Sequence, residues 1–203
     1  MKITAIEPKR KYLSALYIDG EFALLLDTRV LQENRVVADT EINDEKLREL
    51  LSLSDFRRAK EKALWLLSYR DHSSKELLDK LRRDYSEDVA EKTIIRMQEL
   101  GLINDESFAQ RYARDLHAKH TSPTTIRYKL TQKGIDKDIA DEIIEALDID
   151  PIAEIEALVE KKYYKNLSDE KGIKRTIAAL QRAGYKWSDI KSVLSQYTED
   201  NYY

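Results

Sequence analysis

The chain has 203 residues, of which 36% are charged, and it contains 5 Gly, 3 Pro and no Cys. Globular proteins usually carry roughly 25% charged residues, and so few Gly and Pro favour helices over long loops. The absence of Cys excludes disulfides and thiolate metal sites. The sequence shows neither a signal-like apolar run nor the roughly 18 apolar residues of a membrane span, so we expect a soluble cytoplasmic protein.

The overall charge argues against a protein that depends mainly on nucleic-acid phosphates. Against 35 basic residues stand 38 acidic ones, which gives a formal net charge of -3. Neither the N-terminal segment nor any of the three later segments of the chain carries a net positive charge. Proteins that bind duplexes are usually clearly basic, so direct duplex binding is the weaker hypothesis.

The N-terminal segment differs from the rest of the chain. Two apolar runs flank Asp19-Gly20, a dipeptide that predicts a two-residue β-hairpin. A hairpin alone is only marginally stable, so a third strand near residues 35–40, or a helix on one face, is expected to complete it. Helix is predicted from Asn43 onward, and the pattern allows an interruption near residues 52–55. The pattern leaves open whether the hairpin contacts a partner protein, DNA or the chain's own helices.

From about residue 59 the sequence repeats one three-helix unit. Leu81, Leu130 and Leu180 occupy equivalent positions, and Gly134 and Gly184 follow the last two. A period near 50 residues is typical of a repeat array. The predicted fold class is therefore mainly α, an elongated array of three three-helix repeats preceded by a small β-hairpin or β-sheet segment. The predicted domains are residues 1–58, 59–103, 104–149 and 150–203.

Capping residues predict where the repeat helices begin. The predicted caps are Ser73, Ser86, Asn104, Ser122, Asp136, Asp150 and Ser188. The first repeat is one residue short at the turn before its third helix, with Asp84 near the place of the glycine in the others. Because Asp tolerates the left-handed conformation, we expect Asp84 to adopt it.

Catalytic signatures are missing from the sequence. It has no Gly-rich phosphate loop, no GxSxG and no HExxH. His117 and His120 share an i, i+3 spacing, but the simplest interpretation is two exposed polar residues before a loop. We therefore expect a binding protein, with no enzymatic activity, cofactor or metal.

Basic residues recur on the second helix of each repeat and are the candidate contacts for a partner. The first repeat contributes Lys75, Lys80, Arg82 and Arg83, and the second contributes Arg127, Lys129 and Lys133. The third carries Lys171, Lys174, Arg175 and Arg182, of which Lys174 and Arg175 are the candidate contacts. One interpretation is a solvated helix face stabilised by i, i+4 ion pairs. The other is a basic stripe that meets an acidic partner surface or a phosphate backbone.

Two sequence runs resemble a known family. Residues 73–81 follow the pattern S-x-x-E-L-x-x-K-L, and residues 101–109 follow G-L-I-x-D-x-x-F-A. Together with Lys129-Leu130 and residues 133–135, they resemble the RecX family of recombination regulators over about residues 59–197. The hairpin segment resembles that of longer members from Gram-positive bacteria.

The resemblance implies a cytoplasmic, monomeric modulator of the RecA recombinase. RecX proteins are thought to lie in the groove of the RecA–single-stranded-DNA filament and to hinder strand exchange, ATP hydrolysis and co-protease activity. This role belongs to DNA repair, recombination and the SOS response, with RecA and single-stranded DNA as partners and no membrane. The alternative is a helical-repeat protein that binds single- or double-stranded DNA directly. Its phosphate contacts would be Lys80, Arg83, Lys129 and Lys133.

Overall fold

The computed structural model describes residues 1–10 and 12–197. The chain forms two compact units, Met1–Ile103 and a second that begins at Asn104. The first unit contains a small sheet and the first helical repeat, and the second contains the other two repeats. The predicted fold class, helical repeats after a small N-terminal sheet, is confirmed. No described helix combines the length and the apolar character needed to cross a membrane.

The sheet has three antiparallel strands in the order β1-β2-β3. They are β1 (Ile3–Arg10), β2 (Leu13–Ile18) and β3 (Glu21–Asp27). The predicted hairpin is confirmed as β2 and β3, with Asp19 at φ 52° and Gly20 at φ 91° in the turn. Both central residues of such a tight turn need a positive φ, which explains the Asp-Gly pair.

The third strand was predicted in the wrong place. Residues 35–40 form no strand, because Arg35 and Asp39 both have a positive φ, at 53° and 65°. The third strand is β1, at the start of the chain. Residues 39–42 lie beside the start of β1, where the Ile3 N–H donates to the Thr40 carbonyl at 2.8 Å.

Two helices complete the sheet segment. They are α1 (Thr28–Glu33) and α2 (Asp44–Tyr69). Helix α2 is continuous over 26 residues, so the interruption allowed near residues 52–55 does not occur. Ser54 is buried, and its hydroxyl accepts a 2.8 Å hydrogen bond from the Asp27 N–H at the end of β3. The sheet therefore packs on the chain's own helices, around a core that includes Ile3, Leu26 and Leu50.

The first repeat uses the second half of α2 together with two short helices. These are α3 (Ser74–Leu81) and α4 (Glu87–Glu99). The Ser73 hydroxyl accepts from the Glu76 N–H and caps α3 as predicted. Ser86 stands at the N-cap of α4, but its side chain makes no capping hydrogen bond, so this part of the prediction is wrong.

The turn between α3 and α4 differs from the prediction. Asp84 is not among the residues of the described chain that have a positive φ. In the later repeats the turn closes over six residues, with Ile135 N–H donating to the Leu130 carbonyl. With one residue fewer, Tyr85 N–H donates to the Leu81 carbonyl at 3.1 Å, which is the i to i−4 bond of an α-turn and requires no left-handed residue.

The second repeat follows the prediction closely. Its helices are α5 (Asp105–His117), α6 (Pro123–Gln132) and α7 (Lys137–Ala146). Asn104, Ser122 and Asp136 each cap a helix through the side chain. Gly134 has φ 82° and ends α6.

The third repeat begins less regularly. Its α-helices are α8 (Pro151–Leu158), α9 (Glu170–Arg182) and α10 (Trp187–Leu194), and between α8 and α9 lie a π-helical turn over Val159–Tyr163 and a 3-10 turn over Tyr164–Ser168. Asp150 caps α8 as predicted. Helix α10 begins at Trp187 with Lys186 as its cap, so Ser188 lies in the first turn and the predicted cap is wrong.

Candidate interaction surface

The candidate contact residues lie on α3, α6 and α9, the second helix of each repeat. Each of these helices buries a leucine at the equivalent position, which is Leu81 in α3, Leu130 in α6 and Leu180 in α9. The basic side chains leave the helix on its exposed or half-buried sides. Whether a cation is available to a partner then depends on the carboxylates of its own repeat.

In the first repeat, two of the four candidates are held by neighbouring carboxylates. Lys75 Nζ lies 2.7 Å from Asp79 Oδ2, one helical turn along α3. Arg82 pairs with Glu87, and Glu91 Oε1 lies 3.7 Å from its guanidinium. The Lys75 pair is the i, i+4 pair within one helix that the solvated-face interpretation predicts, whereas the Arg82 pairs link α3 to the first turns of α4.

The other two candidates of α3 have no such partner. Within residues 1–10 and 12–197, no carboxylate lies within ion-pairing distance of Lys80 or Arg83. Asp84 is the nearest acid in sequence to Arg83, but it pairs with Lys62. The guanidinium of Arg83 is exposed and remains available to an outside anion.

The second and third repeats also contain both paired cations and cations without a carboxylate partner in the described part of the chain. Arg127 pairs with Asp141, and Lys174 pairs with Glu170. Lys133 Nζ lies 5.7 Å from the centre of the Tyr112 ring. Lys129 and Arg175 have no carboxylate partner in the part of the chain that the structure describes.

The basic positions are also unequal between repeats when the three leucines are aligned. The cations Lys75 and Lys174 share a position at which the second repeat has Thr124, and Arg83 and Arg182 share one at which it has Gln132. Lys80 and Lys129 match each other, with Ala179 in the third repeat. No aligned position is basic in all three helices, so each repeat presents a different cationic surface.

An exposed apolar cluster on α2 was missed by the sequence-based prediction. Trp65 and Tyr69 are 57% and 71% exposed, and their rings meet edge to face with centroids 4.8 Å apart. Leu64 beside them is 47% exposed. The signal in the sequence was the run of apolar residues at 63–67, which is too long for a helix that buries only one face.

The histidines serve as structural links. His120 Nδ1 lies 2.6 Å from Glu154 Oε2, and His117 Nδ1 lies 3.7 Å from the other oxygen of the same carboxylate. The Tyr185 hydroxyl donates to the His120 carbonyl at 2.9 Å. Burial, together with the charge of Glu154, raises the pKa of the Tyr185 phenol to about 12. The hydrogen bonds made by His120 and Tyr185 fasten the third repeat to the second. Both His117 and His120 are half-buried, so the prediction of two merely exposed histidines is wrong.

His72 is a further histidine with a structural position, at the junction of α2 and α3. It is 5% exposed, and its Nδ1 lies 2.9 Å from the Arg70 carbonyl oxygen. Burial lowers the pKa of the His72 imidazole, and the nearby charges of Arg70 and Lys80 act in the same direction. Among the described residues, no group of three or more His, Cys, Asp or Glu is arranged to hold a metal ion.

Comparison with known proteins identifies the family of the chain. Residues 59–97 match the first three-helix domain of RecX, and residues 104–144 match its second three-helix domain. The regulatory protein RecX of Clostridium beijerinckii is 32% identical over 80% of this chain and 78% of its own length. That of Chlorobium phaeobacteroides is 36% identical over 70% of this chain and 95% of its own length. The chain belongs to the RecX family.

Solved structures of RecX proteins support the same assignment. One crystal structure of a regulatory protein RecX covers 96% of this chain with a TM-score of 0.64, at 24% identity, and shows the same fold. The crystal structure of RecX from Lactobacillus salivarius covers 70% of this chain and 96% of its own, at 28% identity and a TM-score of 0.59. Relatives of this family are thus named as regulatory proteins, and the helical repeats are their shared architecture.

The two runs that resemble the RecX family have structural roles in this chain. Ser73 caps α3, and Leu77 and Leu81 are fully buried. Gly101 has φ 67° at the end of α4, and Asn104 caps α5. These motifs define the repeat fold, so the residues that contact a partner must be sought among the exposed side chains.

Proposed function

We propose that this RecX-family chain is a non-enzymatic regulator that binds the RecA–single-stranded-DNA filament and inhibits RecA. The inhibited activities are strand exchange, ATP hydrolysis and co-protease activity, in the cytoplasm and in the context of DNA repair and recombination. The resemblance to the RecX family implies this partner. The observation that carries the proposal on this chain is the pair of cations without carboxylate partners on α3, Lys80 and Arg83.

The ion pairs allow the candidate contacts to be ranked by their expected contribution to partner binding. Exposed pairs contribute about 0–1 kcal/mol each, so a partner can replace them, but it must first separate the two charges. Lys80, Arg83, Lys129 and Arg175 require no such separation. Lys75, Arg82, Arg127 and Lys174 do, and their loss should weaken binding less. Lys133 Nζ lies 5.7 Å from the centre of the Tyr112 ring and is assigned to neither group.

The first experiment measures inhibition. The purified chain is added to the cognate RecA on single-stranded DNA, and ATP hydrolysis and strand exchange are followed as its concentration rises. We expect both to fall at ratios near or below one chain per RecA protomer. Unchanged hydrolysis and strand exchange at saturating chain would contradict the proposal.

The second experiment tests the surface on α3. The double variant K80E/R83E should bind RecA filaments about tenfold more weakly, a change of about 1.4 kcal/mol. Its control is R29E/R48E, which reverses two exposed cations on α1 and α2 with the same net-charge change. Equal affinity of the two variants would show that α3 is only a solvated helix face.

A further inference from the structure

The exposed aromatic cluster on α2 belongs to a longer stripe of exposed side chains. The stripe has the i, i+3, i+4, i+7 and i+8 spacing of one helical face and consists of Glu61, Leu64, Trp65, Ser68 and Tyr69. On the opposite face, Ala59 and Ala63 are buried in the core of the first repeat. The second half of α2 therefore has one face in the core and another face, centred on a tryptophan, that is exposed.

The same side of α2 also forms one wall of a cleft beside the sheet. The cleft has a volume of about 320 Å³ and lies within the first compact unit. Arg58, Glu61 and Lys62 line it from α2. Together with Trp65 they follow the i, i+3, i+4 and i+7 spacing of one helical face. The other walls come from the end of β1, the turn before β2 and the turn before α4, through Arg10, Tyr12 and Tyr85.

Contacts within the chain hold the walls of this cleft. The Thr28 N–H donates to the Tyr12 carbonyl at 2.9 Å. The Lys62 ammonium pairs with Asp84 and donates to the Lys80 carbonyl at 3.3 Å. The cleft is therefore formed before a partner binds, so filling it requires little ordering of the chain.

The cleft offers a cation to a negatively charged group. Two of the cations that line it, Arg58 and Lys62, already have carboxylate partners. Arg10 is exposed, and no carboxylate in the described part of the chain lies within ion-pairing distance of it. The acids that line the cleft are Glu61, which is exposed, and Asp27, which is buried and caps α1. Arg10 is thus the cation that remains available.

The other end of the stripe is the C-terminus of α2, which attracts a cation. Its last carbonyl groups have no hydrogen-bond partner within the helix and carry the negative end of the helix dipole. In this fully described helix, no basic residue stands in the last turn, and the guanidinium of the following Arg70 is paired with Glu76. Tyr69 stands at this end and is 71% exposed. A negative helix end with a protruding ring is complementary to the cleft beside Arg10.

The ring and the cleft lie at equal distances from Trp65, which makes the stripe complementary to itself. In an antiparallel pair of α2 helices with a twofold axis at Trp65, Tyr69 of one copy is level with Glu61 of the other. Tyr69 then enters the partner's cleft, and the negative helix end approaches the partner's Arg10. Because the axis repeats this contact, each copy supplies one ring and one cleft.

We propose that two copies of this chain associate through this stripe as an antiparallel, isologous pair of α2 helices. Trp65 and Tyr69 supply aromatic anchors of the kind that dominates binding at protein interfaces. The contact is small, at the low end of the range for specific interfaces, so we expect a dissociation constant of about 10 μM. The family resemblance implies a monomer, and the proposed inhibition of RecA does not require this association.

The first test measures the mass of the full chain by sedimentation equilibrium between about 1 and 200 μM. The mass should rise from the monomer value of 23.7 kDa toward twice that value. The variant W65A/Y69A should weaken association about tenfold or more, because it removes both anchors. The control F22A/Y128A removes two aromatic side chains that are 57% and 61% exposed elsewhere, and it should leave association unchanged.

The second test determines the arrangement of the two copies by disulfide cross-linking, which is specific because the chain contains no Cys. In the proposed pair, Glu61 of one copy and Ser68 of the other differ by about 1.5 Å along the helix axis. A mixture of the variants E61C and S68C should therefore form a disulfide-linked dimer on oxidation. Neither variant alone should do so, because its two equivalent positions are about 12 Å or about 9 Å apart along the axis, beyond the roughly 7 Å that a disulfide spans.

Several results would overturn the proposal. They are a constant monomer mass up to about 200 μM, unchanged association of W65A/Y69A, an equal loss in the control, and cross-linking of E61C alone, which indicates a parallel pair. If the chain stays monomeric while W65A/Y69A binds RecA filaments more weakly, the stripe contacts RecA and the proposal fails. If circular dichroism shows that W65A/Y69A is unfolded, Y69A replaces it, with an expected loss of about threefold. Both tests contain no RecA, so a failure of the proposed function does not affect them.

Discussion

The hydroxyl of Tyr185 donates a 2.9 Å hydrogen bond to the backbone carbonyl of His120, across the junction between the second and third repeats. Tyr185 is only 5% exposed. The variant Tyr185→Phe leaves this carbonyl without its donor and should lower the free energy of unfolding by about 1–2 kcal/mol in urea denaturation. Tyr128→Phe, at a 61% exposed tyrosine, is the control and should change it by less than about 0.5 kcal/mol. Equal effects would show that the hydrogen bond contributes nothing.

The same residue predicts a loss of stability in alkali. The pKa of Tyr185 is raised from 10.0 to about 12, chiefly by burial. A folded pKa above the unfolded one means that the folded state holds the proton more tightly. The resulting stabilisation is complete below pH 10 and is lost as the pH rises toward about 12. Urea denaturation across this range should show a steeper fall for the unmodified chain than for Tyr185→Phe, and parallel curves would contradict the assignment.

Gly184 is expected to tolerate no side chain. Its φ is 88°, and a Cβ atom there would overlap Thr125 Oγ1 and lie 2.5 Å from Ser122 Oγ. Gly184→Ala therefore adds a steric clash to the cost of about 1–2 kcal/mol for a left-handed residue. Gly101→Ala is the matched control, because Gly101 has φ 67° with open space around it. We expect the larger loss of unfolding free energy at Gly184, and an equal loss would exclude the clash.

Ser54 should hold the sheet against α2. Its buried hydroxyl accepts from the Asp27 N–H at 2.8 Å. Ser54→Ala leaves this buried donor unsatisfied, at a cost of about 1–3 kcal/mol in chemical denaturation. Ser52→Ala on the exposed side of the same helix is the control, and it should be neutral or slightly stabilising because Ala is the better helix former. A neutral Ser54→Ala would contradict the stabilising role of this hydrogen bond.

His72 predicts sensitivity to acid. Its pKa is lowered from the ordinary value of 6.5, mainly by burial. Because the unfolded state then binds the proton more readily, the stabilisation is present above pH 6.5 and is lost as the pH falls through the folded pKa. The ring protons of His72 should titrate below pH 6.5 in NMR spectra, and His72→Gln should flatten the acid side of the stability curve. Titration of His72 at or above 6.5 would contradict the buried environment.

Local sequence rules predicted much of the helical architecture. Side-chain caps such as Ser122 and Asp136 act within three residues, so their geometry follows from the sequence alone. The edge strand β1 was missed because its outer half contains Pro8 and charged residues, which protect an edge strand but hide the alternation. At Asp84 the missing residue changed the closure of the turn rather than the conformation of one residue.

The contact surface was less predictable than the fold. Sequence spacing identified which helices are basic, but not which cations are paired. Arg82 reaches Glu87 and Glu91 on the following helix, and Arg127 reaches Asp141. These pairs depend on how two helices pack, a relationship that helical periodicity does not contain. The link from His120 to Glu154 was missed for the same reason.

Helix α2 has a practical consequence for dissecting the chain. It runs unbroken from Asp44 to Tyr69, so the sheet and the first repeat share one rod about 39 Å long. A truncation at residue 58 would cut this helix in its middle. A truncation at residue 43 would remove the sheet residues that pack on Leu50 and would expose this side chain to solvent. A loss of activity after either truncation would therefore have two explanations, namely the absence of the sheet or damage to the first repeat. Point substitutions on the sheet's exposed side, at Phe22 or Leu25, avoid that ambiguity.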